Sequence, residues 1–219
     1  MTSPKEDRGA VSERDGVDVL GEIADQVRGC PKCELCRTRT NAVPGEGNPR
    51  ARVMLIGEGP GFYEDREGRP FVGNSGKFLN ALLAKAGLAR EDVFITNVVK
   101  CRPPGNRDPL PDEIAACAPY LEGQIAAIDP DVIVTLGRFS MARWFAGERI
   151  SKIHGQAKRD GRRVIVPMYH PAAALHQSSL RGAIEEDFER LPKILAEMAR
   201  SRESEAARDA PKEAQSKLF

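Results

Sequence analysis

Apolar residues recur along this chain in two rhythms. Val53 to Ile56, Val93 to Val99, Asp131 to Leu136 and Val164 to Met168 are short runs dominated by branched residues. Runs of that kind suit strands buried on both faces of a parallel sheet. Between them the apolar positions fall at helical spacing. Val17, Leu20, Ile23, Ala24 and Val27 mark one stripe, and Phe78, Leu79, Leu82 and Leu83 mark another within Lys77 to Ala86. Pro111 to Ile128 predicts a longer helix, with Asp112 and Glu113 in its first turn, where the helix dipole favours negative charge. Ser140 to Phe145 and most of 172–200 read as further helices. Strand and helix alternate, so the expected fold class is α/β, a three-layer α/β/α arrangement around a central four-stranded parallel sheet. Phe62 to Gly76 reads as a long loop and Arg149 to Arg163 as a basic connector. Residues 1–16 are polar enough to be disordered, 17–200 form the folded domain, and 201–219 read as a flexible, charged tail.

Composition narrows the class without naming it. The chain has 219 residues, of which 41% are hydrophobic and 30% charged, a globular balance. No apolar run approaches the ~20 residues of a membrane span, and the start lacks the apolar core of a signal peptide. A cytoplasmic, monomeric protein is expected. The net charge of +1 confines any nucleic-acid surface to a local patch. Five cysteines without an export signal favour metal binding over disulfides.

The strand ends carry the candidate chemistry. Val53–Ile56 runs into Gly57-Glu58-Gly59-Pro60-Gly61, a tight turn with uncovered peptide N–H groups and one carboxylate. Its spacing fails the dinucleotide fingerprint, and Gly73-Asn-Ser-Gly-Lys77 fails the phosphate loop. The second strand holds Asn97, a buried amide that needs a partner. The third ends at Gly137-Arg138 and the fourth at Tyr169-His170-Pro171. Ligands in open α/β sheets bind beyond the carboxyl ends of the strands, so Glu58, Asn97, Arg138 and His170 can meet in one pocket. Phe71 sits in a glycine-rich loop, either anchoring it or offering a ring for a base to stack on. Lys100, Arg102 and Arg107, and separately Lys152, Lys158, Arg159, Arg162 and Arg163, suit a phosphate backbone. His154 reads as a phosphate contact or a bystander, and His176 as surface.

Cys30-x-x-Cys33, Cys101 and Cys117 could gather on one metal centre. Fifteen residues separate the second pair, which is unusual for a zinc ribbon and acceptable for an iron–sulfur cluster. Cys36 is left over as a non-ligand.

Four segments in order carry a resemblance: Gly57-Glu-Gly-Pro-Gly61, Gly68-Arg-Pro-Phe-Val-Gly73, Thr96-Asn-Val-Val-Lys-Cys-Arg-Pro-Pro104 and His170-Pro-Ala-Ala-Ala174. Together they resemble the family 4 uracil-DNA glycosylases over about residues 25–197. That resemblance implies the uracil-DNA glycosylase fold, a 4Fe-4S cluster on Cys30, Cys33, Cys101 and Cys117, and excision of uracil from deaminated DNA. It places Glu58 and His170 in catalysis, and Gly59, Phe71, Asn97 and His170 around uracil. Phe62, Tyr63 and Glu64 are the nearest candidates for excluding thymine. A related group traps DNA through a histidine in an inserted loop; Cys101 to Cys117 holds neither, so turnover is expected. Gln215-Ser-Lys-Leu-Phe219 resembles the peptide that bacterial proteins insert into the sliding clamp, with Gln215, Leu218 and Phe219 as its anchors. The competing reading is a non-catalytic iron–sulfur protein that binds DNA or carries electrons.

Overall fold

The computed structural model describes residues 16–209. Six strands form one sheet: β1 (Glu46–Gly47), β2 (Val53–Gly57), β3 (Phe94–Asn97), β4 (Val132–Leu136), β5 (Lys158–Asp160) and β6 (Arg163–Met168), in the order β1-β3-β2-β4-β6-β5. β3, β2, β4 and β6 run parallel, and these are the four strands the apolar runs predict. β1 and β5 flank them antiparallel. Two- and three-residue polar strands carry no hydrophobic signal, which is why the predicted sheet lacks them.

Along β2 the side chains alternate between two cores. Val53 and Leu55 face helices α3 (Asn74–Lys85) and α8 (Arg181–Asp209), where Leu79, Leu82, Ile184 and Phe188 are buried. Met54 and Ile56 face α1 (Gly16–Arg28) and α4 (Pro111–Ile128), with Val27, Leu121 and Ile125. Each strand is therefore covered on both sides, which accounts for its unbroken apolar run. The chain steps from β2 out to β3, then returns past β2 to β4 on the other side. A crevice opens at such a reversal, beyond the carboxyl ends of the strands.

Four expected boundaries move. Phe62 to Gly76 is not one loop: it holds α2 (Phe62–Glu67) and the first turns of α3. The Glu64 carboxylate accepts the Gly61 N–H and starts α2, and Gly68, at φ +69°, ends it. The turn after β4 carries a single-turn helix, α5 (Arg138–Met141), ahead of the expected Ser140 start. The connector that follows contains α6 (Ile150–Ile153) and β5. The supposed tail begins as helix, because α8 continues to Asp209. Arg202 Nε lies 2.6 Å from Asp131 Oδ1 and Arg159 donates to Ser201 Oγ, so this stretch docks on the sheet. The clamp-like peptide at 215–219 lies outside the described residues. No described helix is long and apolar enough to cross a membrane.

Candidate active site

A cleft of about 550 Å³ opens at the carboxyl ends of the parallel strands. That volume is ordinary for a small-molecule site. Register brings its walls together: Gly57 at the end of β2 pairs with Asn97 at the end of β3, and Leu136 of β4 pairs with Met168, two residues before His170. Glu58, Gly59, Phe71, Asn97 and His170, all anticipated from the sequence, line this one space.

Asn97 is 2% exposed, and its Oδ1 has no hydrogen-bond partner. A buried acceptor left unpaired costs on the order of 1–3 kcal/mol, so it needs a reason. Its position is tightly set. A Cβ on Gly57 would stand 2.4 Å from Asn97 Oδ1 and 2.8 Å from Phe71 Cζ, so only glycine lets the amide and the ring approach the turn.

Phe71 anchors its loop, as one of its two expected readings has it, and it also lines the cleft. Its ring is 5% exposed and belongs to the α3/α8 core, yet one side faces the cleft and stacks on His170, centroids 5.4 Å apart at 25°. Its backbone is left-handed, φ +50°, a strained setting for an aromatic residue. Arg90 holds that turn by donating to the Phe71 and Pro70 carbonyls, and Glu46 pairs with Arg90 from β1. Glu64 adds to the turn by accepting N–H bonds from Val72 and Gly73, both 3.0 Å.

His170 is fixed in tautomer. The Ala172 N–H donates to its Nδ1 at 3.1 Å, leaving the proton on Nε2. Burial pushes its pKa down to about 4, with Glu64 opposing weakly, so the ring is neutral at pH 7. Glu58 moves the other way: burial raises its pKa first, then the charge of Asp108, while Arg138 opposes. Among the described residues no hydrogen bond reaches its carboxylate. Arg138 itself is exposed and pairs with Asp108 at the rim.

The basic residues divide. Arg102 lies at the rim over the Phe62 ring, 5.2 Å away, and donates to Asn106. Arg107 lines the cleft with its guanidinium paired to buried Glu113 at 2.7 Å. Lys152 is exposed on α6 and does not line the cleft. Lys100 overturns the expectation that it contacts DNA. It is 1% exposed, burial pushes its pKa down to about 7 with the Cys117 thiol opposing, and its amino group donates to Thr96 Oγ1 (2.5 Å), the Asn97 carbonyl (2.8 Å) and Gln124 Oε1 (2.8 Å). The segment after β3 turns inward against α4, so the charge never reaches solvent. His154 is held by Asp187 at 2.7 Å and packs on Tyr169, which leaves its Nδ1 no phosphate to meet. His176 is exposed and lines the cleft mouth, beyond what its position in the chain indicates. Of the candidates for thymine exclusion only Glu64 lines the cleft; Phe62 and Tyr63 stand exposed beside it. Leu175, 51% exposed on α7 (Ala172–His176), is a further apolar residue on the same side. Only its exposure marks it, and exposure is invisible in a sequence.

Cys30, Cys33, Cys36, Cys101 and Cys117 line a second cavity, between α1, α4 and the segment after β3. All are free thiols. Arg39 Nη1 donates to Cys101 Sγ at 3.1 Å and the Lys100 backbone N–H to Cys117 Sγ at 3.3 Å. Burial pushes the Cys101 thiol up to about 11 and raises Cys33 and Cys117, so unligated they stay protonated. Among the described residues no three metal-binding side chains converge on one point as a single ion needs. The thiols stand around a shared space instead.

Comparison with known proteins agrees with this geometry. The description of the Uracil DNA glycosylase superfamily matches residues 44–196. A type-4 uracil-DNA glycosylase of Sulfurisphaera tokodaii is 52% identical over 188 residues, 81% of this chain and 86% of that protein. One from Archaeoglobus fulgidus is 45% identical over 187 residues, 81% of this chain and 94% of its own. A type-5 enzyme of Thermus thermophilus is 40% identical but covers 45% of this chain. With a matching superfamily description and relatives this similar over most of both chains, the protein belongs to the uracil-DNA glycosylase superfamily, in its type-4 family.

Proposed function

We propose that this chain hydrolyses the N-glycosidic bond of uracil in deaminated DNA and leaves an abasic site. The unpaired Oδ1 of Asn97 carries the reading. Uracil presents an N3–H that such an acceptor can bind, whereas cytosine presents a lone pair there and is repelled. A flat base extruded from the duplex, at a cost of a few kcal/mol, finds the Phe71 ring as a wall and the Asn97 amide at its edge.

Bond cleavage leaves the electron pair on uracil and a cation-like sugar. The Nε2–H of neutral His170 donates to the oxygen where negative charge gathers; losing such a donor costs ~100- to 1000-fold in rate. A neutral imidazole stabilises the anion without first having to bind a proton. Glu58 faces the sugar side. Its raised pKa makes it a better base, so it orients the water that adds to C1′ and takes its proton. The uracil anion takes a proton from solvent as it leaves, and Glu58 gives the water's proton back to solvent. Arg102, Arg107 and Lys152 are proposed to meet phosphates, and the exposed Phe62 and Leu175 to press on the bases beside the lesion.

Cys30, Cys33, Cys101 and Cys117 are proposed to hold a 4Fe-4S cluster. These are four of the five soft thiols around one cavity, two of them already receiving N–H bonds, and such a set fits an anionic cluster better than a single ion. Bound there by these cysteines, a cluster would cross-link the N-terminal segment, the loop after β3 and α4. Gln215, Leu218 and Phe219 are proposed to dock on a sliding clamp, and removing Leu218 and Phe219 should abolish that binding. An electron carrier on this scaffold has no use for an unpaired, buried amide in a residue that lines a cleft.

The test is a uracil-containing oligonucleotide incubated with the protein and a chelator, then treated with alkali. Strand cleavage at uracil is expected, and an intact duplex after incubation with folded protein would overturn the proposal.

A further inference from the structure

We propose that Lys100 is a positioning residue that clamps the base-reading peptide of Asn97 to helix α4 and so sets both the rate and the base selectivity. This rests on the uracil reading proposed above. Lys100 is among the largest fully buried side chains of the protein, and burying an ammonium is costly unless each N–H finds an acceptor. Here all three do: Thr96 Oγ1, the Asn97 carbonyl and Gln124 Oε1. The acceptors are themselves tied, since Gln124 Nε2 donates to the Pro44 carbonyl at 2.6 Å and Thr96 Oγ1 reaches the same carbonyl at 3.1 Å.

Two consequences meet at Asn97. Its peptide link to Val98 is gripped on both edges, the carbonyl by Lys100 and the Val98 N–H by the Gly57 carbonyl at 3.0 Å. The next N–H, of Val99, donates to the Glu58 carbonyl at 3.1 Å, so the reader and the carboxylate share one backbone brace. An unpaired amide oxygen persists only where the chain cannot turn to satisfy it. Without the Lys100 donors the 97–98 peptide keeps only the Val98 N–H bond, its carbonyl edge loses its tether, and the amide beside it gains room to shift. Lys100 also reaches the cysteine cavity, because its own N–H binds Cys117 Sγ and α4 carries both Cys117 and Gln124. Displacement of α4 is thereby transmitted to Asn97.

Lys100→Met keeps the length and removes the donors. The expected result is a single-turnover rate about 100-fold lower, the cost of a small misplacement of a reacting group. KM for the oligonucleotide should change by less than about twofold, because no phosphate contact is lost. Discrimination of uracil from cytosine should narrow, and titration with free uracil, which needs no turnover, should show weaker binding. A folded Lys100→Met chain with unchanged rate, selectivity and uracil affinity overturns the inference alone. So does a rise in KM with a shallower salt dependence at constant rate, which marks a phosphate contact. If Lys100→Met does not fold, Gln124→Leu removes one acceptor, and a rate lowered about tenfold is expected; an unchanged rate overturns the inference. A wild-type chain that leaves uracil in place defeats the activity itself.

Discussion

The cleft and the cysteine cavity lie on either side of the segment from Asn97 to Cys101, and they treat polarity in opposite ways. In the cleft, the decisive groups are kept short of partners: Asn97 Oδ1 has none, Glu58 receives no hydrogen bond among the described residues, and His170 has only its Nδ1 engaged. In the cysteine cavity, donors from Arg39 and Lys100 already reach the sulfurs. The first arrangement is costly to maintain and is repaid only by a ligand with complementary edges. The second lowers the cost of gathering negative charge. The contrast shows that a reading site is recognised by what it leaves undone, and a holding site by what it has prepared.

The largest effect that could break this contrast is at the unpaired acceptor. Asn97→Ala should lower the single-turnover rate on uracil at least about 100-fold while leaving binding to undamaged duplex unchanged, since the lost contact is to the base alone. An unaltered rate would remove Asn97 from recognition. Next comes the sulfur side. Cys101→Ser should abolish the brown visible absorbance expected of the proposed 4Fe-4S cluster and lower the melting temperature by about 10 °C, the size expected for a few kcal/mol lost in a domain this large. Cys36→Ser should do neither, and a colourless Cys36→Ser protein would bring the fifth thiol into the ligand set.

The pH dependence sharpens the comparison further. His170 has a folded pKa near 4 against an ordinary 6.5, so between those values the unfolded chain takes up a proton that the fold refuses. Its share of stability is complete above pH 6.5 and declines as pH falls toward 4. The imidazole resonances should show no midpoint near neutrality, and one near 6.5 would defeat the neutral-donor role. Arg90→Met loosens the Phe71 turn and should cost about 1–3 kcal/mol by denaturant titration, as for other hydrogen bonds to charged groups. The smallest expected effect is Lys152→Ala, a rise in KM of less than about threefold with a shallower salt dependence.

Much of this was legible before any coordinates. Branched runs announce the four parallel strands because burial on both faces forbids polar residues within them. Glu58, Asn97 and His170 stood out because each interrupts or ends such a run. Lys100 misled for an equally physical reason. A lysine beside arginines in a proline-rich loop reads as surface charge, and only the tertiary course of the loop brings Thr96, Asn97 and Gln124 around its ammonium. The α2 start is set by the Glu64 carboxylate, a contact three residues back that carries no periodic signature. The dyad of His154 and Asp187 joins residues thirty-three apart in the chain, and spacing alone cannot see such a pair.

The two short antiparallel strands at the sheet margins have an effect beyond the cleft. Four buried parallel strands would otherwise present long apolar rims with open backbone ladders, the kind of surface on which a neighbouring chain extends a sheet. One margin is closed by two residues. The other is closed by Lys158, Arg159 and Asp160, all exposed, whose charges repel an incoming strand. The closing of the sheet thus rests on five inconspicuous positions rather than on the hydrophobic interior.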